Sequence, residues 1–132
     1  MKKQIAALAT DENNIVMWNI NALLADYKNA PYITVETRKL VPREWLSIDR
    51  EYALTTNLDI PIVLFELPND LLYIADGNHR LYRALTEKID YIKAIVVPQE
   101  KHLTYLYLST EEAYYRVIDG LKDEGIFIDN II

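Results

Sequence analysis

Between Pro61 and Val97 the spacing of apolar residues changes period twice, and that change restricts the chain to a fold mixing strands and helices. Pro61-Ile62-Val63-Leu64-Phe65-Glu66-Leu67 and Leu71-Leu72-Tyr73-Ile74-Ala75 flank the turn formers Pro68-Asn69-Asp70, which is the pattern of a β-hairpin. Beyond Asp76-Gly77, Leu81, Ala84 and Leu85 recur at helical spacing, so a helix is expected from about Asn78. Tyr91-Ile92-Lys93-Ala94-Ile95-Val96-Val97 returns to strand composition and is closed by Pro98, as a buried strand would be. The expected class is α/β (α+β): a small mixed sheet with flanking helices.

Other elements follow from the same rules. Tyr32-Ile33-Thr34-Val35-Glu36-Thr37 is a β-branched run expected to form a strand ending near Leu40-Val41-Pro42. Met17, Ile20, Leu23, Leu24 and Tyr27 fall mostly three and four apart, predicting an amphipathic helix over residues 15–27. Between Arg43 and Leu58 apolar and charged residues are mixed, and a helical turn or a loop fits equally. Residues 103–108 either extend the sheet or precede a last helix, predicted over residues 110–124 from the Ser109-Thr110-Glu111-Glu112 capping box and a stop at Gly125. The apolar Ile126-Phe127-Ile128-Asp129-Asn130-Ile131-Ile132 is expected to add a strand or to pack against the chain or a partner.

A chain of 132 residues, 51% hydrophobic, suits one core, so residues 1–132 are expected to form a single domain. A net charge of -6 disfavours DNA as the main partner, because cationic side chains supply most nonspecific affinity for phosphates. Residues 100–132 carry seven acidic and three basic side chains, which concentrates the acidity in the predicted C-terminal helix. The absence of cysteine removes disulfides and thiolate catalysis and suits a cytoplasmic location. The apolar stretch after Met1-Lys2-Lys3 is short and runs into Asp11-Glu12-Asn13-Asn14, so neither a secretion signal nor membrane insertion is expected.

The chemistry is expected at Asp76-Gly77-Asn78-His79-Arg80. Glycine permits a tight strand-to-helix turn, and the first helical amides then point outward without intrahelical acceptors. With the helix dipole, the His79 and Arg80 side chains, and Arg83 one turn on, this is an anion site suited to phosphate or carboxylate. The same residues also fit a plainer reading, in which Asp76 caps the helix, Gly77 makes the turn and the cations are solvated. Asp49-Arg50-Glu51 and His102 are read as a solvated charge run and an isolated histidine, without roles. Tyr105, Tyr107, Tyr114 and Tyr115 are read as packing residues.

The stretch Ile74-Ala75-Asp76-Gly77-Asn78-His79-Arg80-Leu81-Tyr82-Arg83-Ala84-Leu85, followed by a valine-rich strand and preceded by Pro61-Ile62-Val63, resembles the signature of the ParB/sulfiredoxin-like superfamily over residues 32–98. The resemblance implies that Gly77, Asn78, His79 and Arg80, with Asp76 and Arg83 beside them, bind the phosphates of ATP, CTP or a related nucleotide, with magnesium. Sulfiredoxins place a catalytic cysteine before their His-Arg pair, whereas this chain has Asn78 there and no cysteine, so sulfinic-acid repair is excluded. Partition proteins add a helix-turn-helix domain for which too little chain remains here.

Free-serine kinases of the same superfamily carry a motif resembling Asp-Gly-His-His-Arg and an essential glutamate after a proline. Pro42-Arg43-Glu44 occupies a similar place, which implies Glu44 as general base toward a hydroxyl in a small-molecule phosphotransferase. Asn78 replaces a histidine of that motif, and Glu44 also reads as an exposed carboxylate in a charged loop. Two alternatives stand beside the kinase reading. One is a nonenzymatic interaction or regulatory module that keeps the fold, and the other is a ParB-like nuclease, which asks for a carboxylate cluster around a metal where this motif offers Asp76.

Overall fold

Strand β4 (Ile62–Leu67) is the centre of the molecule, and its sequence shows why: Ile62, Val63, Leu64 and Phe65 are consecutive apolar residues, all fully buried. Such a run belongs to a strand covered on both faces. In the computed structural model, which describes residues 4–40, 48–68 and 70–124 with the side chains of 122–124 excepted, β4 lies between β5 (Leu71–Asp76) and β6 (Tyr91–Val97). It pairs antiparallel with β5 and parallel with β6, and β3 (Ile33–Glu36) closes the other edge antiparallel to β6. The four-stranded sheet is therefore mixed, and the fold is mixed α/β with flanking helices.

On one face, Ile62, Leu64, Ile74, Ile92 and Ala94 pack against Leu81 and Ala84 of helix α3 (Asn78–Thr86). On the other, Val63, Phe65, Tyr73, Ile95 and Val97 meet Trp18, Leu23 and Tyr114, which arrive on three different elements. Each fully buried Val, Leu, Ile or Phe among them contributes about 1.5–3 kcal/mol of transfer free energy. His102 lies in this second core with no exposed surface, stacked on Phe65 at 4.5 Å and edge-on to Trp18 and Tyr114.

The N-terminal region departs from expectation. Residues 15–27 do not form one helix: β1 (Ile5–Asp11) and β2 (Asn14–Asn19) make an antiparallel hairpin, and α1 (Ile20–Asp26) begins only afterwards. Along β2, Val16 and Trp18 are buried while Ile15 is 42% exposed, an alternation of period two. The three- and four-residue spacings arose because Met17 precedes a true helix in which Ile20 and Leu23 face the core. Asn19 marks the switch, its side chain accepting from the Ala22 N–H at 3.1 Å. At the hairpin tip the Asn14 side-chain amide donates to the Asp11 carboxylate and, with the backbone N–H groups of Asn13 and Asn14, holds its pKa below the usual range.

Further elements refine the expectations. The undecided stretch contains a short helix α2 (Arg50–Leu54), capped by Asp49, whose carboxylate accepts from the Tyr52 N–H at 3.0 Å. Helix α4 (Gln99–His102) and a 3-10 turn over Leu103–Tyr105 follow β6. Leu106 then makes one antiparallel bridge to Trp18. Helix α5 (Glu111–Glu124) starts one residue later than the capping box implied. Thr110 accepts from the Ala113 N–H, whereas Ser109 is drawn to β2, accepting from the Met17 N–H at 3.0 Å. Gly125 and the apolar tail lie outside the described residues, as do Val41, Pro42 and Glu44. Among the described residues, no helix is long and apolar enough to cross a membrane.

Candidate functional site

β5 delivers the turn residues to the end of the sheet with one irregularity: Asp76 pairs with Val63, whereas Ile74 pairs with Leu64, so Ala75 is the extra residue of a bulge. Gly77 follows with φ 108 and ψ 17, a conformation L side chains rarely adopt, and it sits against Ile62 at the start of β4. Helix α3 then begins with no side-chain cap. Its first intrahelical bond runs from the Leu81 N–H to the Gly77 carbonyl, so the amides of Asn78, His79 and Arg80 have no acceptor within the helix.

These residues open on a cleft of about 410 Å³ lined by Asp76, Gly77, Asn78, His79 and Arg80 on one side. Gln4 and the segment from Tyr52 to Ile60 supply the rest. All five expected residues from 76 to 80 are thus brought together. Arg83 is not: its Nε bonds to Glu87 Oε2 at 2.8 Å and its Nη1 donates to the Thr56 carbonyl, which ties the end of α2 to α3. Its part is to hold one wall of the cleft.

Among the described residues, Arg80 is the cation that lines the cleft, and it is already partnered. Nη2 lies 2.9 Å from Asp76 Oδ2, with both side chains less than one-sixth exposed, and Nη1 donates to the Ile60 carbonyl at 3.3 Å. Asp76 also accepts from Gln4 Nε2 at 2.5 Å. Asp76 therefore does not cap α3. It orients Arg80 and offsets part of its charge, so the pull on an anion rests on three amides and one compensated guanidinium.

His79 Nε2 accepts from the Asp49 N–H at 3.1 Å, and its ring stands edge-on to Tyr52 with centroids 4.9 Å apart. This bond fixes the tautomer: Nε2 carries the lone pair. The Asn78 carboxamide oxygen is buried without a hydrogen-bond partner, as are Trp18 Nε1 and His102 Nδ1 among the described side chains.

Asp76 is the one carboxylate lining the cleft among the described residues, and it is engaged by Arg80 and Gln4. No group of three or more His, Asp or Glu among those residues is placed to hold a metal ion. The turn therefore does not offer magnesium a ready seat of its own. Sequence reasoning missed Gln4, Tyr52, Thr55, Asn57 and Ile60 as cleft residues. The cap Asp49-x-x-Tyr52 was a readable signal for α2, but nothing local announces that α2 packs beside α3. Comparison with protein-family models, curated proteins and solved structures returned no match to this chain.

Proposed function

We propose that the chain binds a phosphate-bearing small molecule of the nucleotide class in the cleft at the start of α3. The observation that carries this reading is the uncapped N-terminus of α3, with three amides free of intrahelical acceptors at a cleft whose wall includes a fixed guanidinium. An anion seated there accepts from amides already in place, and little reorganisation opposes binding. The likeness of Asp76-Gly77-Asn78-His79-Arg80 to the ParB/sulfiredoxin-like signature supports a nucleotide over an arbitrary anion.

The most concrete extension is transfer of a phosphoryl group to a small-molecule hydroxyl, with Glu44 as general base. It rests on the resemblance at Pro42-Arg43-Glu44, and Glu44→Gln should then abolish transfer while nucleotide binding persists.

The test of binding is a thermal-shift titration with ATP, ADP, CTP, GTP and inorganic phosphate on the native protein and on His79→Glu. A glutamate at this position suits the first turn of a helix and can still accept from the Asp49 N–H, but it sets a negative charge beside the anchoring amides. The expected result is a rise in melting temperature that is lost in His79→Glu, with the unliganded variant still folded. At a ligand concentration of about 100 Kd the native protein should gain about 2.7 kcal/mol. No shift with any of these ligands, or an undiminished one in the variant, overturns the reading and favours the protein-interaction alternative.

A further inference from the structure

Tyr52 and Ile60 are 56% and 52% exposed, and both line the cleft into which α3 opens. Single exposed apolar residues are ordinary on protein surfaces, but two sharing one cleft opposite a polar turn are not scattered. Tyr52 is held in place. Its N–H bonds to Asp49 Oδ1, its carbonyl accepts from the Thr55 hydroxyl at 2.7 Å, and its ring meets His79 at an interplanar angle of 78°. A perpendicular contact of this kind occupies only part of the ring, and more than half of the residue's surface stays open.

We infer that Tyr52 is a stacking platform for a planar ring carried by the phosphate ligand, with Ile60 as its apolar neighbour. This deepens the phosphate-binding reading and rests on it. The cleft is two-ended: the α3 amides and Arg80 take the anion, and the Tyr52 side takes the ring. With Arg80 already paired to Asp76, the anion end attracts phosphate only modestly, so the ring end supplies much of the affinity. A volume of about 410 Å³ falls within the range of small-molecule sites, and inorganic phosphate alone would leave Tyr52 and Ile60 wet.

The experiment is calorimetric titration of inorganic phosphate, ribose 5-phosphate and AMP into the native protein, Tyr52→Phe, Tyr52→Leu and Tyr52→Ala. The native protein and Tyr52→Phe should bind AMP about tenfold more tightly than ribose 5-phosphate, as expected for one stacked base. Tyr52→Leu and Tyr52→Ala should bind the two esters within about twofold of each other, with inorganic phosphate unchanged. Tyr52→Leu separates loss of the aromatic face from loss of bulk. Phosphate binding with no preference for AMP in the native protein, or a preference that survives in Tyr52→Ala, overturns the stacking role and leaves the anion site standing. Failure of all three ligands to bind overturns both.

Discussion

A methyl group added to Gly77 would lie 2.4 Å from Ile62 Cγ2, 2.7 Å from its Cβ and 3.1 Å from its backbone Cα. The turn that exposes the α3 amides thus exists because Gly77, the residue that follows β5, can pass directly over the first residue of β4. Two independent conditions demand glycine: the close approach, and φ 108. Gly77→Ala should destabilise the protein by about 3 kcal/mol, combining overpacking with backbone strain. Trimming Ile62 to alanine in the same chain should not restore it, because the crowding against the Ile62 backbone and the unfavourable dihedral remain. Urea denaturation of both variants checks this, and recovery in the double variant would show that side-chain crowding alone fixes the turn.

Gly120 offers the contrasting case. A Cβ there would meet Thr10 Cγ2 at 2.7 Å, where α5 crosses the β1–β2 hairpin, but no unusual backbone angle is required. Gly120→Ala should cost about 1–2 kcal/mol net, the overpacking outweighing the roughly 1 kcal/mol that alanine gains over glycine in a helix. Combined with Thr10→Ala, most of that cost should vanish. A double-mutant cycle measures the coupling, and additive effects would mean that Gly120 and Thr10 do not touch.

Lys88, two residues beyond the end of α3, lies in the left-handed region at φ 57, while the Ile89 N–H bonds to the Ala84 carbonyl at 2.8 Å. This is the glycine position of a helix C-terminus, occupied here by a residue that carries a steric penalty. Lys88→Gly should stabilise the fold by about 0.5–1 kcal/mol. A fall in the urea midpoint instead would argue that the Lys88 side chain contributes more than its backbone strain removes.

His102 should make stability depend on pH. Burial pushes its pKa below the ordinary histidine value of 6.5, against the opposing effects of the Glu66 carbonyl and the Glu100 charge. Nε2 lies 2.8 Å from the Glu66 carbonyl, so it carries the proton of the neutral ring. The unfolded chain binds a proton near pH 6.5 and the folded chain only at lower pH. The full contribution is therefore present above that value and is lost as pH falls below it, by at most about 1.4 kcal/mol per pH unit. Urea midpoints at about pH 5.5 and about pH 7.5 should differ for the native protein and converge for His102→Gln, which keeps a donor for the Glu66 carbonyl. An unchanged pH dependence in the variant would place its origin elsewhere.

The residues from Pro61 to Val97 determined their own structure to within a residue or so. The continuous apolar run of β4, the turn after Leu67, the glycine before Asn78 and the change of period at Leu81 are local signals, and local sterics and burial enforce them. The strand-to-helix turn was legible for the same reason, since a glycine between strand and helix marks where the amides of Asn78, His79 and Arg80 begin a helix without intrahelical acceptors.

What surrounds it was decided by tertiary structure. Strand β2 carries the spacing of a helix in the sequence, but its structure comes from pairing Asn14–Asn19 with Ile5–Asp11 and from burying Trp18 against Phe65 and Tyr114. Such non-local contacts override spacing. Likewise, no pattern within Tyr52–Ile60 shows that these residues wall a cleft. Packing of α2 on α3, pinned by Arg83 on the Thr56 carbonyl and by Arg80 on that of Ile60, puts them there. Arg80 is also paired with Asp76, so the charge that sequence offers an anion is tempered by a partner four residues away. A residue's type fixes what chemistry it can do, and only the folded chain fixes which of its bonds are already taken.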